Sequence, residues 1–261
     1  MSCFQHLKGF SVLNSRPLRR EQGSSWVAKL GAFLGLWMGG SLALAAQSSA
    51  VVEQQAFVEE ILFKKTLLTN GSLVVRWNQK PTLSIVSGNP REREAMEKAV
   101  RDLERPLRPT GYPIDYLEAP EPDADIVVYH TRFSELPGLL QSLQLPSRFA
   151  EMDKAHAIMN EDGSLKKVYV FCDTRRATTE EALKRRALKL VLAAMGMPGE
   201  SGAQFRSIFY EVPPFGMAEE VPHRLYPIDI RAIRLLYAYI DSGASLDSVR
   251  ESFRKYWRRL R

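Results

Sequence analysis

The sequence predicts an α+β fold: a mixed sheet of about five strands with an early helix, a buried central helix and two C-terminal helices. Three observations carry this expectation. Short apolar runs separated by turn residues read as strands. One charged helical pattern, PREREAMEKAVRDLERPL from Pro90, sits early among them, and from Thr178 onward the apolar period becomes helical. Strands first and helices gathered late is the α+β order. With 261 residues, 45% hydrophobic and 25% charged, the chain can bury one good core. No internal repeat, low-complexity tract or composition break demands a second globular domain.

Residues 1–45 differ in character from the rest. Lys8, Arg16, Arg19, Arg20 and Lys29 precede an uncharged run, LGAFLGLWMGGSLALA, that ends in Ala43-Leu44-Ala45. A basic region, a short apolar region and a small-residue site make a secretory signal peptide, so cleavage after Ala45 and export to the periplasm or cell envelope are expected. The alternative is an uncleaved single-pass anchor, for which the apolar run is short. This leader carries five of the 36 Lys+Arg and one of the 30 Asp+Glu, which leaves 31 against 29. The basic pI of 9.3 is therefore mostly a property of the leader and gives little support to nucleic-acid binding. Cys3 belongs to the leader as well, so Cys172 stands alone without an intrachain disulfide. In YVFCD it reads as a small buried core residue.

Residues 46–70 form an N-terminal docking segment, in which VVEQQAFVEEILF has the spacing of a short amphipathic helix or an extended strap. Asn70-Gly71 marks a turn, and residues 71–261 form the domain proper. Strands are expected at SLVVRW (72–77) and TLSIV (82–86), with Pro81 between them. The early helix places Ala95, Met96, Ala99, Val100 and Leu103 on one face and should end before Pro106. YPIDYL (112–117) and ADIVVYH (124–130) follow, and the second, nearly all apolar, should lie centrally. Residues 133–143 suggest a short helix interrupted at Pro137-Gly138. HAIMN and KVYVFC then form a hairpin across Glu161-Asp162-Gly163-Ser164.

The central helix spans Thr178 to Met197. Thr178 and Glu181 make a capping box, Gly196 and Pro198 stop it, and the stretch from Leu190 to Met195 is apolar on every side, so its second half must enter the core. A loop rich in Gly and Pro leads to a helix opened by Pro227 and Asp229, which suit its first turn, with Ile230, Ile233, Leu236, Tyr237 and Ile240 facing inward. Gly243 ends that helix and Ser245 caps the last one.

Ala194-Met195-Gly196-Met197-Pro198, then Ser207-Ile208-Phe209, then Leu225-Tyr226-Pro227-Ile228-Asp229 with Ile233-Arg234-Leu235-Leu236-Tyr237 resembles the metzincin zinc-peptidase core. It is most similar to a bacterial secreted family of unknown function that carries a degenerate version of that fold, with Ser245-Leu246-Asp247-Ser248-Val249-Arg250 fitting the family's ending. The resemblance spans most of the domain and is sharp from Thr178 onward. In such a peptidase two imidazoles one helical turn apart hold zinc and an intervening Glu acts as general base. The matching positions here are Lys189, Leu190 and Ala193, the third ligand falls at Gly199, and Phe209 replaces the methionine beneath the metal. None of these side chains can hold Zn²⁺ or take a proton, so neither a metal nor any other cofactor is expected.

Other chemistry is thinly supported. His130, His156 and His223 have no ligand spacing and are weak metal candidates. There is no G-x-S-x-G elbow or phosphate-binding glycine loop, and the adjacent pairs Glu180-Glu181 and Glu219-Glu220 are accounted for as a helix start and a solvated loop. The tail RESFRKYWRRLR sets Phe253, Trp257 and Leu260 on one face among Arg250, Arg254, Lys255, Arg258, Arg259 and Arg261. The apolar stripe predicts packing on the domain. The functional alternative is an interaction helix for anionic lipid or an acidic partner. The expected function is a noncatalytic exported module that binds or scaffolds a protein or acidic envelope component. The alternative is an envelope hydrolase with a rebuilt site.

Overall fold

The computed structural model describes residues 49–63, 73–175, 179–202, 204–211 and 221–260. The expected signal peptide, the Asn70-Gly71 turn, Thr178, Glu219-Glu220 and Arg261 lie outside these residues.

Apolar residues at helical spacing make residues 49–63 a helix, α1, which buries Phe57, Val58, Ile61 and Leu62. The expected strand over 72–77 does not join the sheet: residues 73–77 are extended, with a single bridge between Leu73 and Ser245. Their backbone bonds go elsewhere, Val74 exchanging bonds with Gly243 and Ala244 while Arg76 O accepts from Leu165 N. Val74, Val75, Arg76 and Trp77 are all buried, and the partner backbone comes from a distant turn.

Strand β1 (Thr82–Ser87) runs into α2 (Pro90–Leu107), where the Asn89 side chain accepts from Glu92 N at 3.0 Å and Pro90 takes the first turn. The helix continues through Pro106. A proline in the last turn forfeits one hydrogen bond, and burial of Leu103 and Leu107 on either side of it offsets that loss. β2 (Asp115–Leu117), β3 (Ile126–Thr131), β4 (Lys154–Met159) and β5 (Leu165–Asp173) complete the sheet in the order β2-β1-β3-β5-β4. All neighbours are parallel except the β4–β5 hairpin. β3 is the middle strand, as its apolar run requires. Helix α3 (Leu136–Ser142) contains Pro137-Gly138 instead of being interrupted there, because a proline in the first turn removes no intrahelical bond.

Alternation along the strands divides the interior. Val168, Val170 and Cys172 face the main core, built with α1, α2, α4 (Glu180–Ala194), α5 (Pro227–Tyr239) and α6 (Leu246–Tyr256). Tyr129 and Phe171 face a smaller core roofed by Leu136 and Leu140 of α3 with Phe149 and Met152.

The central helix α4 is capped by Thr179, whose hydroxyl accepts from Ala182 N. Leu190, Val191, Leu192, Ala194 and Met195 are buried, as the apolar run predicted. Its last carbonyls are claimed by side chains, Trp77 Nε1 donating to Ala194 O at 2.9 Å and the Tyr237 hydroxyl to Met195 O at 2.7 Å. Gly196 ends the helix at φ +87°, and a Cβ there would stand 2.0 Å from Val75 O, so only glycine fits. Arg76 caps α5 in turn: its Nη1 donates to the carbonyls of Leu236, Tyr237 and Ile240 at 2.9–3.1 Å. The guanidinium also lies 4.7 Å from the Tyr112 ring centroid and 5.2 Å from that of Tyr237.

Candidate functional site

Lys189 and Ala193, the positions that the sequence resemblance matches to a pair of zinc-binding imidazoles, occupy one face of α4, a turn apart. Lys189 is ion-paired to Glu200, Leu190 is in the core, and Ala193 is half-buried against it. Beyond the helix, Gly199 N donates to Ile61 O at 3.1 Å. A Cβ at Gly199 would meet Glu60 O at 2.3 Å and Ile61 Cα at 2.6 Å, so the backbone of α1 presses directly on the loop. Phe209 is buried and meets Phe57 of α1 edge to face, ring centroids 6.1 Å apart. The donors at these positions are one ammonium and no imidazole, carboxylate or thiolate, and the space at Gly199 is taken by backbone. These residues do not fit a zinc ion.

Beside this centre lies a polar cluster that the sequence reading missed as a unit. Asp229, in the first turn of α5 and fully buried, accepts from the Ser207 hydroxyl at 2.5 Å, Ile208 N at 3.1 Å and Tyr226 N at 2.8 Å. Ser207 Oγ in turn accepts from Phe209 N at 3.0 Å. Burial pushes the Asp229 carboxyl up to about 6, against the pull of its hydroxyl and amide donors. The signal was present in Ser207-Ile208-Phe209 and Leu225-x-Pro227-x-Asp229, two patterns read separately. The carboxylate joins them, holding the turn to the helix start. Every atom of this cluster points into the fold, so its work is structural.

A second, half-buried cluster gathers near the carboxyl ends of β3 and β5. Arg186 of α4 donates to Asp173 O at 2.7 Å and lies 3.6 Å from Asp153 Oδ1 and 3.5 Å from Glu92 Oε1. It ties α4 to α2 and to the β4–β5 hairpin. Cys172 is fully buried here, with its thiol pushed up by desolvation, so it is the inert core residue its setting predicted.

The three histidines do not converge. His130 pairs across the sheet with Cys172 and shares its face, while His156 pairs with Tyr169 on the opposite face. His156 is buried between Phe149 and Phe171, its Nε2 donating to Glu151 O at 2.9 Å, and desolvation lowers its pKa from the ordinary 6.5. His223 lies in the loop before α5. Among the described residues no group of three His, Cys, Asp or Glu side chains could hold a metal ion.

The C-terminal helix follows its apolar stripe. Val249, Phe253 and Trp257 are buried, and Leu260 packs against the same core. Arg250 forms a two-pronged pair with Glu59 of α1 at 2.9 and 3.0 Å, and Trp257 Nε1 donates to Gln54 Oε1 at 2.7 Å. The Arg231 guanidinium lies over the Trp257 ring at 4.3 Å and donates to Trp257 O. Arg254, Lys255, Arg258 and Arg259 are exposed. No helix of the described residues is long and apolar enough to cross a membrane.

No family model matches the chain, and no curated protein matches it. Solved structures that resemble it include "Structure of myroilysin", with 14% identity and a TM-score of 0.38 over 64% of this chain and 98% of that one. "Crystal structure of myroilysin" gives 12% identity and 0.37 over 68% and 94%. At these TM-scores the likeness carries no argument about chemistry.

Proposed function

We propose that the protein is a noncatalytic, metzincin-like module exported to the cell envelope, where it binds or scaffolds another component. The observation that carries this reading is the fate of the α4 face. Lys189 is paired with Glu200, Ala193 packs on the core, and the Gly199 loop is pressed against the backbone of α1. A helix frame of the kind that would present a metal serves here as a packing element, and the loop that follows it is covered by the backbone of α1. The export element rests on the leader pattern of residues 1–45.

The test is elemental analysis of the purified protein, joined to a screen of peptide and peptidoglycan substrates with and without chelator. The expected outcome is substoichiometric zinc and no turnover. One tightly held zinc per chain, lost on replacing His130, His156 or His223, would overturn the reading, as would hydrolysis abolished by chelation.

A further inference from the structure

The two contacts between α6 and α1 fix a direction. Arg250, early in α6, pairs with Glu59 late in α1, whereas Trp257, just after α6, bonds to Gln54 early in α1. The helices therefore run antiparallel, and the C-terminal end of α6 lies beside the first turns of α1. At this end Arg254, Lys255, Arg258 and Arg259 are exposed, and Arg254, Arg258 and Arg259 form no ion pair among the described residues. Glu251, on their own helix, acts on Lys255, and Glu53 adjoins Gln54 in α1. Val52, next to Glu53, is 64% exposed, and the Tyr239–Tyr256 pair, with ring centroids 3.9 Å apart, flanks the cations under Lys255.

The charge is concentrated at this end. Residues 46–249 carry 25 Lys+Arg against 28 Asp+Glu, and residues 250–261 carry six against one. The chain also enters α1 at this end, shortly after the apolar run that closes at Ala45.

We propose that this end of the molecule, Arg254, Lys255, Arg258 and Arg259 with Tyr239 and Tyr256, is a docking surface for an anionic lipid bilayer. Exposed cations beside tyrosines match the headgroup region, where basic residues meet lipid phosphates and amphipathic rings sit at the boundary. The rest of the domain, net acidic, is repelled by the same surface, so the charge distribution orients the protein with α6 toward the membrane. The proposal rests on the envelope reading for where such a membrane is met, and it holds whether or not the domain has activity.

The experiment is flotation of the full chain with vesicles of phosphatidylcholine alone and with about one third phosphatidylglycerol, at about 0.1 and about 0.5 M NaCl. The readout is the ratio of anionic to neutral partitioning, compared between chains that all carry the same basic leader, so that only the change in the ratio from wild type reports on the substituted positions. R254Q/K255Q/R258Q/R259Q removes the surface, and R91Q/K98Q/R101Q/R105Q removes the same charge from exposed positions of α2. Circular dichroism confirms that both variants are folded. The expected result is an anionic preference that high salt abolishes, that the α6 variant loses by about tenfold or more, and that the α2 variant keeps. An α6 variant that retains the preference overturns the proposal, as do equal losses in both variants or binding only to an acidic polymer such as teichoic acid. Bound zinc or turnover would refute the noncatalytic reading and leave this result standing.

Discussion

Single buried groups set how this domain responds to pH, and two of them act in opposite directions. Asp229 has its folded carboxyl pushed up to about 6 from an ordinary 3.8 by burial. The folded state therefore binds the proton more readily than the unfolded chain. Its contribution is complete below about pH 3.8 and is lost as pH rises through about 6, at up to about 1.4 kcal/mol per pH unit between. His156 has its pKa lowered by desolvation, so it folds neutral, and its contribution is complete above 6.5 and lost as pH falls below that value. D229N should flatten the first dependence, since an amide oxygen still accepts from Ile208 and Tyr226 without titrating. H156Q should flatten the second. Urea unfolding of wild type and both variants from about pH 4 to pH 7 measures the slopes, and parallel curves for D229N and wild type would refute the Asp229 assignment.

At the scale of elements, side chains from outside finish the helix ends. Arg76 serves three terminal carbonyls of α5 from a segment more than 150 residues earlier, and it is itself sandwiched against Tyr112 and Tyr237. R76L should leave the buried carbonyls of Tyr237 and Ile240 without their donor, since Leu236 O still accepts from Ile240 N, and lower the unfolding free energy by about 2–4 kcal/mol, read from the midpoint of denaturant unfolding. A change below about 0.5 kcal/mol would mean that water replaces the guanidinium. The strand expected at 72–77 fails for a related reason. Its short apolar run is that of a strand, but its hydrogen bonds go to Gly243, Ala244 and Leu165. Helix boundaries moved for local reasons too: Pro137 lies in a first turn, where a missing N–H removes no bond, and Pro106 in a last turn, where burial of Leu103 and Leu107 offsets the bond it forfeits.

At the scale of the molecule, α1 decides what the fold can do. It was expected as a docking segment, and Phe57 and Ile61 are fully buried, with Phe57 against Phe209, Ile61 O bonded to Gly199 N, Glu59 to Arg250 and Gln54 to Trp257. A chain lacking residues 49–63 should therefore fail to fold cooperatively, since it would expose the Phe209 and Trp257 pockets together. Thermal unfolding followed by circular dichroism checks this. A truncated chain that melts within about 5 °C of the full one would show α1 to be a detachable strap instead.

How much of this was legible in the sequence depends on the range of the interaction concerned. The mixed sheet, β3 at its centre, the β4–β5 hairpin, burial of the second half of α4 and the packed face of α6 all follow from periodicity and capping, because each is a pattern within one segment. That Lys189, Leu190, Ala193 and Gly199 offer no imidazole, carboxylate or thiolate is likewise a matter of residue type alone. Tertiary structure decided the rest: that α1 covers the Gly199 loop, that Asp229 joins two separate motifs, that His130 and His156 face opposite sides of the sheet, and that the basic end of α6 meets the start of α1. Each of these is a contact between residues far apart in the chain. A local pattern fixes which face of a segment must be buried, and only the packed fold fixes what that face is buried against.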